Sequence, residues 1–139
     1  MHILRNIFIV ILLLFVSKSV YAKTIQIDFT PDDSFSIEVA HIDVGDTIEW
    51  LPNADHNVEF LAGPNMNSLL EKASFNVSYS ANFDLPGVYL YQCTPHGNMG
   101  MLGLVVVGNN LNNLKEIEEI ELSQIAKSVL QRLIVKISK

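Results

Sequence analysis

Residues 93–101 read Cys-Thr-Pro-His-Gly-Asn-Met-Gly-Met, which puts one thiol, one imidazole and two thioethers in a single short loop. Soft sulfur combined with imidazole selects copper, because thiolate and thioether stabilise Cu(I) while imidazole suits both oxidation states. Two His and one Cys in a plane, with a weak axial Met, fit neither oxidation state fully. Little then has to move when the charge changes, and electron exchange can be fast. The loop supplies one histidine, His96, so the second must come from another part of the chain.

Two candidates remain once the amino-terminal segment is set aside. His56 follows the turn Pro52-Asn53-Ala54-Asp55 and opens an apolar-alternating stretch, so its ring can project from a sheet end. His41 sits inside an alternating strand beside Ile42 and reads as a surface histidine. His56 is the better ligand. Asn57 beside it can hydrogen-bond the loop near Thr94, and its backbone N–H can point at the Cys93 sulfur; outer contacts of this kind tune a metal site. An ordinary turn-to-strand Asn would look the same. For the axial position Met99 and Met101 compete. Met101 immediately precedes an apolar strand, and Gly100 lets the loop bend back, so Met101 is preferred and Met99 becomes apolar cover near His96.

Elements must hold these residues. Thr24–Phe29 and Phe35–Ile42 alternate apolar and polar, the period of half-buried strands. Thr47–Trp50, His56–Phe60 and Ser74–Tyr79 are further short strands, with Pro86-Gly87 a tight reversal before Val88–Cys93. Leu102–Val107 is apolar at nearly every position, as in a strand covered on both faces. Many short strands at regular spacing point to a β-sandwich. From Asn109 onward Gly, Pro and aromatics disappear. Ile125, Val129, Leu133 and Ile137 recur every four positions after Ser123, a helix-cap residue. One or two amphipathic helices over about 111–138, packed on the sandwich, are predicted.

The first 22 residues carry Arg5, an apolar run over 7–16, and Val20 and Ala22 as small residues before a cut, which is the layout of a secretory leader. Cleavage after Ala22 is expected, with a single domain over 23–139 placed in the periplasm. The apolar run is about half of the ~20 residues a transmembrane helix needs, so no stable membrane insertion is expected. The chain carries a formal charge of −6. Removing Arg5 and Lys18 makes it −8. That balance excludes nucleic acid, whose binding depends on Lys and Arg at phosphates. A lone cysteine, Cys93, leaves no intramolecular disulfide. Haem attachment lacks its second Cys, and zinc prefers ligands other than Met. A catalytic thiol leaves the methionines unexplained.

Cys-Thr-Pro-His followed by Met, with His56-Asn57 upstream, resembles the cupredoxins, the type 1 blue copper proteins, and among them most closely the pseudoazurins. Val44-Gly45-Asp46-Thr47, Pro86-Gly87-Val88-Tyr89 and the helical tail share in the likeness. The resemblance implies an eight-stranded Greek-key β-sandwich with one or two carboxy-terminal helices. It also implies one copper ion cycling between Cu(I) and Cu(II), held by His56, Cys93, His96 and Met101. Asn57, Thr94 and Pro95 surround these ligands, and His96, Gly97 and Met99 form the docking patch. The implied role is a monomeric electron carrier, not an enzyme, serving redox partners such as a copper nitrite reductase or a cytochrome. Asp55, Glu59 and Asp84 near the rim, with only Lys72 opposing them, depart from the lysine-rich surround of that family and weaken the nitrite reductase expectation. A copper-delivery or copper-holding protein would use the same donors.

Overall fold

The computed structural model describes residues 21–69 and 71–137; the leader expected over 1–22 lies almost wholly outside them. Seven strands form: β1 (Thr24–Ile27), β2 (Val39–Ile42), β3 (Thr47–Trp50), β4 (Glu59–Ala62), β5 (Tyr79–Asn82), β6 (Gly87–Gln92) and β7 (Leu102–Val107). Two helices follow, α1 (Leu114–Glu118) and α2 (Gln124–Ile137). The strands make a three-stranded sheet in the order β1-β3-β5 and a four-stranded sheet in the order β2-β7-β6-β4. β1 with β3 and β2 with β7 are parallel pairs; the others are antiparallel.

The sandwich with carboxy-terminal helices matches the sequence-based expectation, but the described residues hold seven strands rather than eight. Four predicted strands start later or stop earlier than expected. Phe29 and Phe35 make only an isolated bridge. Asp33 takes a left-handed φ of 52° between them, and a regular ladder does not continue through such a residue. Asn76, at φ 61°, turns the chain where Ser74–Tyr79 was expected to be extended. The strand after His56 begins only at Glu59.

Both faces of β6 and β7 are covered, and this is why they are apolar throughout. Side chains alternate across a strand. Tyr89, Tyr91, Val105 and Val107 face the other sheet, packing with Ile27, Ile48, Trp50, Ala81 and Phe83. Val88, Leu90, Leu104 and Val106 face the helices, against Ile117, Ala126, Leu130, Leu133 and Ile137. Gly103 lies opposite Tyr91 in the ladder, and a β-carbon there would stand 2.2 Å from the phenol ring. A glycine is what lets Tyr91 lie across β7.

Helix α2 is capped as predicted: Ser123 Oγ accepts the Ala126 N–H at 3.1 Å. Its buried stripe is rotated from the expected one, running through Ala126, Leu130, Leu133 and Ile137, while Ile125 is 61% exposed. Ile125 and Val129 both reach Gly100 in the Cys93–Met101 loop, and Val129 also rests on the edge of the helix–sheet core. Glu38, just before β2, fixes the far half of α2. It receives a two-pronged pair of hydrogen bonds from Arg132 at 3.0 and 2.8 Å and a third from Lys136 at 2.5 Å.

The Arg132 hydrogen bonds outweigh partial burial and, with Lys136, hold the Glu38 carboxyl well below the usual carboxylate range, at about 2. A group depressed in the folded state stabilises it fully above the unfolded value and loses that contribution as pH falls through the folded one. Glu38→Gln is therefore expected to destabilise by about 1 kcal/mol at neutral pH, a partly exposed pair being worth no more. Chemical denaturation of both proteins should show the difference shrinking from about pH 4.5 downward and vanishing only below about pH 2.

Candidate metal centre

Strand parity aims the sulfur ligands. Cys93 follows β6 in the same phase as Tyr89 and Tyr91, and Met101 precedes β7 in the same phase as Val105 and Val107, so both join the core between the sheets. The Cys93 N–H donates to the Met101 carbonyl at 3.1 Å, closing the ladder where the two strands part. Between them the loop turns tightly: the N–H groups of His96 and Gly97 both donate to the Cys93 carbonyl, and Gly97–Met99 forms one 3₁₀ turn. A β-carbon at Gly97 would stand 2.0 Å from Gln92 Oε1, so a larger residue there would displace the Gln92 amide. Gly100 closes the turn at φ 98°, a conformation glycine adopts without strain.

His56 arrives from the segment before β4. Asn53 Oδ1 accepts the N–H groups of Asp55 and His56 at 2.8 and 3.1 Å and so shapes the turn. Phe29 stacks on the imidazole, with ring centres 5.5 Å apart and planes 19° apart. Nδ1 of His56 lies 3.1 Å from Nδ1 of His96 and 3.7 Å from Cys93 Sγ; the remaining separation, from Sγ to His96 Nδ1, is 3.5 Å. For a triangle of sides 3.1, 3.5 and 3.7 Å, the point equidistant from its corners lies about 2.0 Å from each. That is the length of a metal–imidazole bond and slightly less than a metal–thiolate bond. Cys93 is fully buried, His56 is 8% exposed and Met101 2% exposed. His96 is half-buried. His41 lies exposed on β2, away from this group.

The two segments are sewn together by a polar network. The Thr94 N–H donates to Asn57 Oδ1 at 2.7 Å, and Asn57 Nδ2 donates to Thr94 Oγ1 at 2.9 Å and to the Ala73 carbonyl at 3.2 Å. The Thr94 hydroxyl in turn donates to Glu59 Oε2 at 3.0 Å, which also accepts from Gln92 at 2.9 Å. Burial works to raise the Glu59 carboxyl, but the bonds from Gln92 and Thr94 and the nearby Lys72 hold it below its ordinary value. The expected Asn57–Thr94 link is present. Glu59, expected at the rim, is instead the anchor of the network, and Lys72 sits 3.6 Å from it. Burial pushes the Cys93 thiol up; backbone N–H groups of Asn57 and His96 pull it down, and the charge of Asp33 adds to the upward push.

Pro95 is exposed beside His96, and Met99 is 61% exposed. An open groove of about 700 Å³ runs along this end of the molecule, walled in part by Phe29, Asp33, Asp55, Phe75 and His96. Asp33 had no marker in the sequence beyond a turn-like Pro31-Asp32-Asp33, yet its Oδ1 stands 3.5 Å from His56 Nε2.

Removal of the Asn57 side chain leaves the Thr94 N–H without its acceptor in a part-buried site. Asn57→Ala is expected to cost about 2 kcal/mol, the scale of an unsatisfied buried donor, in thermal or urea unfolding of the metal-free protein. Thr94→Ala, which leaves that acceptor in place, should cost less.

Residues 25–108 match the family of copper binding proteins described as the plastocyanin/azurin family. A putative pseudoazurin of Rhizobium leguminosarum is 41% identical over 68 residues, 48% of this chain and 45% of that protein, so the match spans less than half of the relative's length. Pseudoazurin of Methylorubrum extorquens is 31% identical over 105 residues, 74% of this chain and 71% of that one. The crystal structure of pseudoazurin from Methylobacterium extorquens AM1 superposes with a TM-score of 0.70 at 25% identity, covering 82% of this chain and 98% of that chain. Two imidazoles and a buried thiol around one point are a donor set that fits copper, and the chain belongs to the copper-binding plastocyanin/azurin family, within which it resembles the pseudoazurins.

Proposed function

We propose that this protein carries single electrons between redox proteins after export to the periplasm. In this reading one copper ion is held by His56, Cys93, His96 and Met101. The observation that carries it is the triangle of Nδ1, Nδ1 and Sγ atoms at 3.1 to 3.7 Å, drawn from two chain segments. Bound there, copper supplies a one-electron couple between Cu(II) and Cu(I).

The chain's own residues supply what that couple needs. Cys93 and His56 are withdrawn from water, so the site has little solvent to reorganise. The Asn57–Thr94–Glu59 network resists drift of the two ligand segments relative to one another. Met101, buried in the same core as Cys93, would supply a thioether to the metal. His96 is the half-buried ligand, and with Gly97 and the exposed Met99 it gives electrons a short route to a docked partner. A fully buried thiol favours this role over copper delivery, which calls for ligands that exchange readily with an acceptor.

Charge points to the kind of partner. Asp33 and Asp55 border the groove beside His96, whereas Lys72 is engaged with Glu59. A cytochrome or other oxidoreductase with a basic face is favoured over a nitrite reductase with an acidic one, since complementary charge steers encounter.

The processed protein should develop intense visible absorption on addition of Cu(II); a colourless wild type sinks the reading. Cys93→Ser should lose that absorption, and Met101→Leu should keep copper while raising the reduction potential. Stopped-flow reduction by a basic cytochrome should slow about tenfold between low and high salt, as screening shortens the range of attraction. Faster reaction with an acidic partner would reverse the charge assignment.

A further inference from the structure

We propose that Asp33 is a positioning residue that sets the reduction potential, its carboxylate facing the outer nitrogen of His56 and favouring the more positive state of the site. This rests on the copper reading above.

His56 presents Nδ1 to Cys93 and His96, so Nε2 is the nitrogen on the other edge of the ring. A histidine that gives one nitrogen to a metal keeps a proton on the other, and a carboxylate there holds the ring and makes it a stronger donor. Asp33 Oδ1 stands 3.5 Å from Nε2. The imidazole is buried and roofed by Phe29, which keeps water from the ring face. Charges near a site that excludes water interact more strongly than in bulk solvent. No Lys or Arg lines the adjoining groove among the described residues, so no cation there cancels the carboxylate.

The turn that delivers Asp33 is built firmly. The Thr30 N–H donates to the Ser34 carbonyl at 2.8 Å, the two hydroxyls meet at 2.7 Å, and Phe29 bridges Phe35. Inside this frame Asp33 adopts its left-handed φ of 52°. A bare turn would accept Asn or Gly equally well there. Only a carboxylate adds a negative charge at His56. Asp33 is itself 55% exposed, so the effect is moderated by solvent.

The test is Asp33→Asn, which preserves size and turn preference while removing the charge, with Asp55→Asn as a control on the same groove and Asp33→Gly as a second probe of the turn. At a fixed applied potential, Asp33→Asn should shift the Cu(II):Cu(I) ratio about three- to tenfold toward Cu(I), a tenfold shift being 59 mV for one electron. Asp55→Asn should shift it less than twofold. Chelator competition should show weaker binding of Cu(II) and nearly unchanged binding of Cu(I). Three results overturn the proposal: an unchanged potential in a coloured Asp33→Asn protein, equal loss of affinity for both oxidation states, or an effect of Asp55→Asn as large as that of Asp33→Asn. If the wild type itself stays colourless with Cu(II), the copper reading fails first, which separates the two.

Discussion

The double coverage of β6 and β7 is the constraint from which the metal centre follows. One face of this pair is closed by the opposite sheet and the other by α1 and α2. A slip of one residue in the pairing would exchange the two faces, placing Leu90 where Tyr91 lies and turning Cys93 toward the helices. Each face is buried, so neither arrangement of the wrong side chains can be relieved by water. Gly103 under Tyr91 adds a local lock, since the ring has room only opposite that position. The hydrophobic cores thus fix where a thiol and a thioether lie at the sandwich end before any metal is considered.

The second imidazole needs a different kind of support. His56 precedes β4 and belongs to no ladder, so sheet register does not reach it. Its position comes from Asn53 within the turn, from Phe29 against the ring, and from Asn57 reaching across to Thr94. Hydrogen bonds do here what β-pairing does for Cys93. A buried polar network of this type is costly when partly satisfied and stiff when complete, and a stiff frame suits a site whose metal must change charge without rearrangement.

The sequence displayed the donors well because the chemistry concentrates them: Cys93, His96 and both methionines share one loop, and only two other histidines follow the leader. Alternation and the apolar run at Leu102–Val107 revealed the sandwich and its helical cover. What stayed hidden depends on three dimensions. Left-handed backbone at Asp33 and Asn76 shortened strands that alternation alone would extend. Glu59 looked like a rim charge because its partners Gln92 and Thr94 lie more than thirty positions away. Along the chain β2 and β3, one in each sheet, lie between Asp33 and His56, and only folding brings them into contact. In the first half of α2 the buried positions are Ala126 and Leu130 in place of Ile125 and Val129, which reach Gly100, a contact that helical periodicity does not encode.

That last contact bears on how freely the metal loop can vary. A β-carbon at Gly100 would stand 2.6 Å from Val129, and Ser123 at the head of α2 donates its hydroxyl proton to the Asn98 carbonyl at 2.6 Å. The helix therefore acts as an outer mould for the loop as well as a lid for the sheet. A loop of different length transplanted from a helix-free relative would press on the mould from within, so swaps of that region have to be made together with the first two turns of α2.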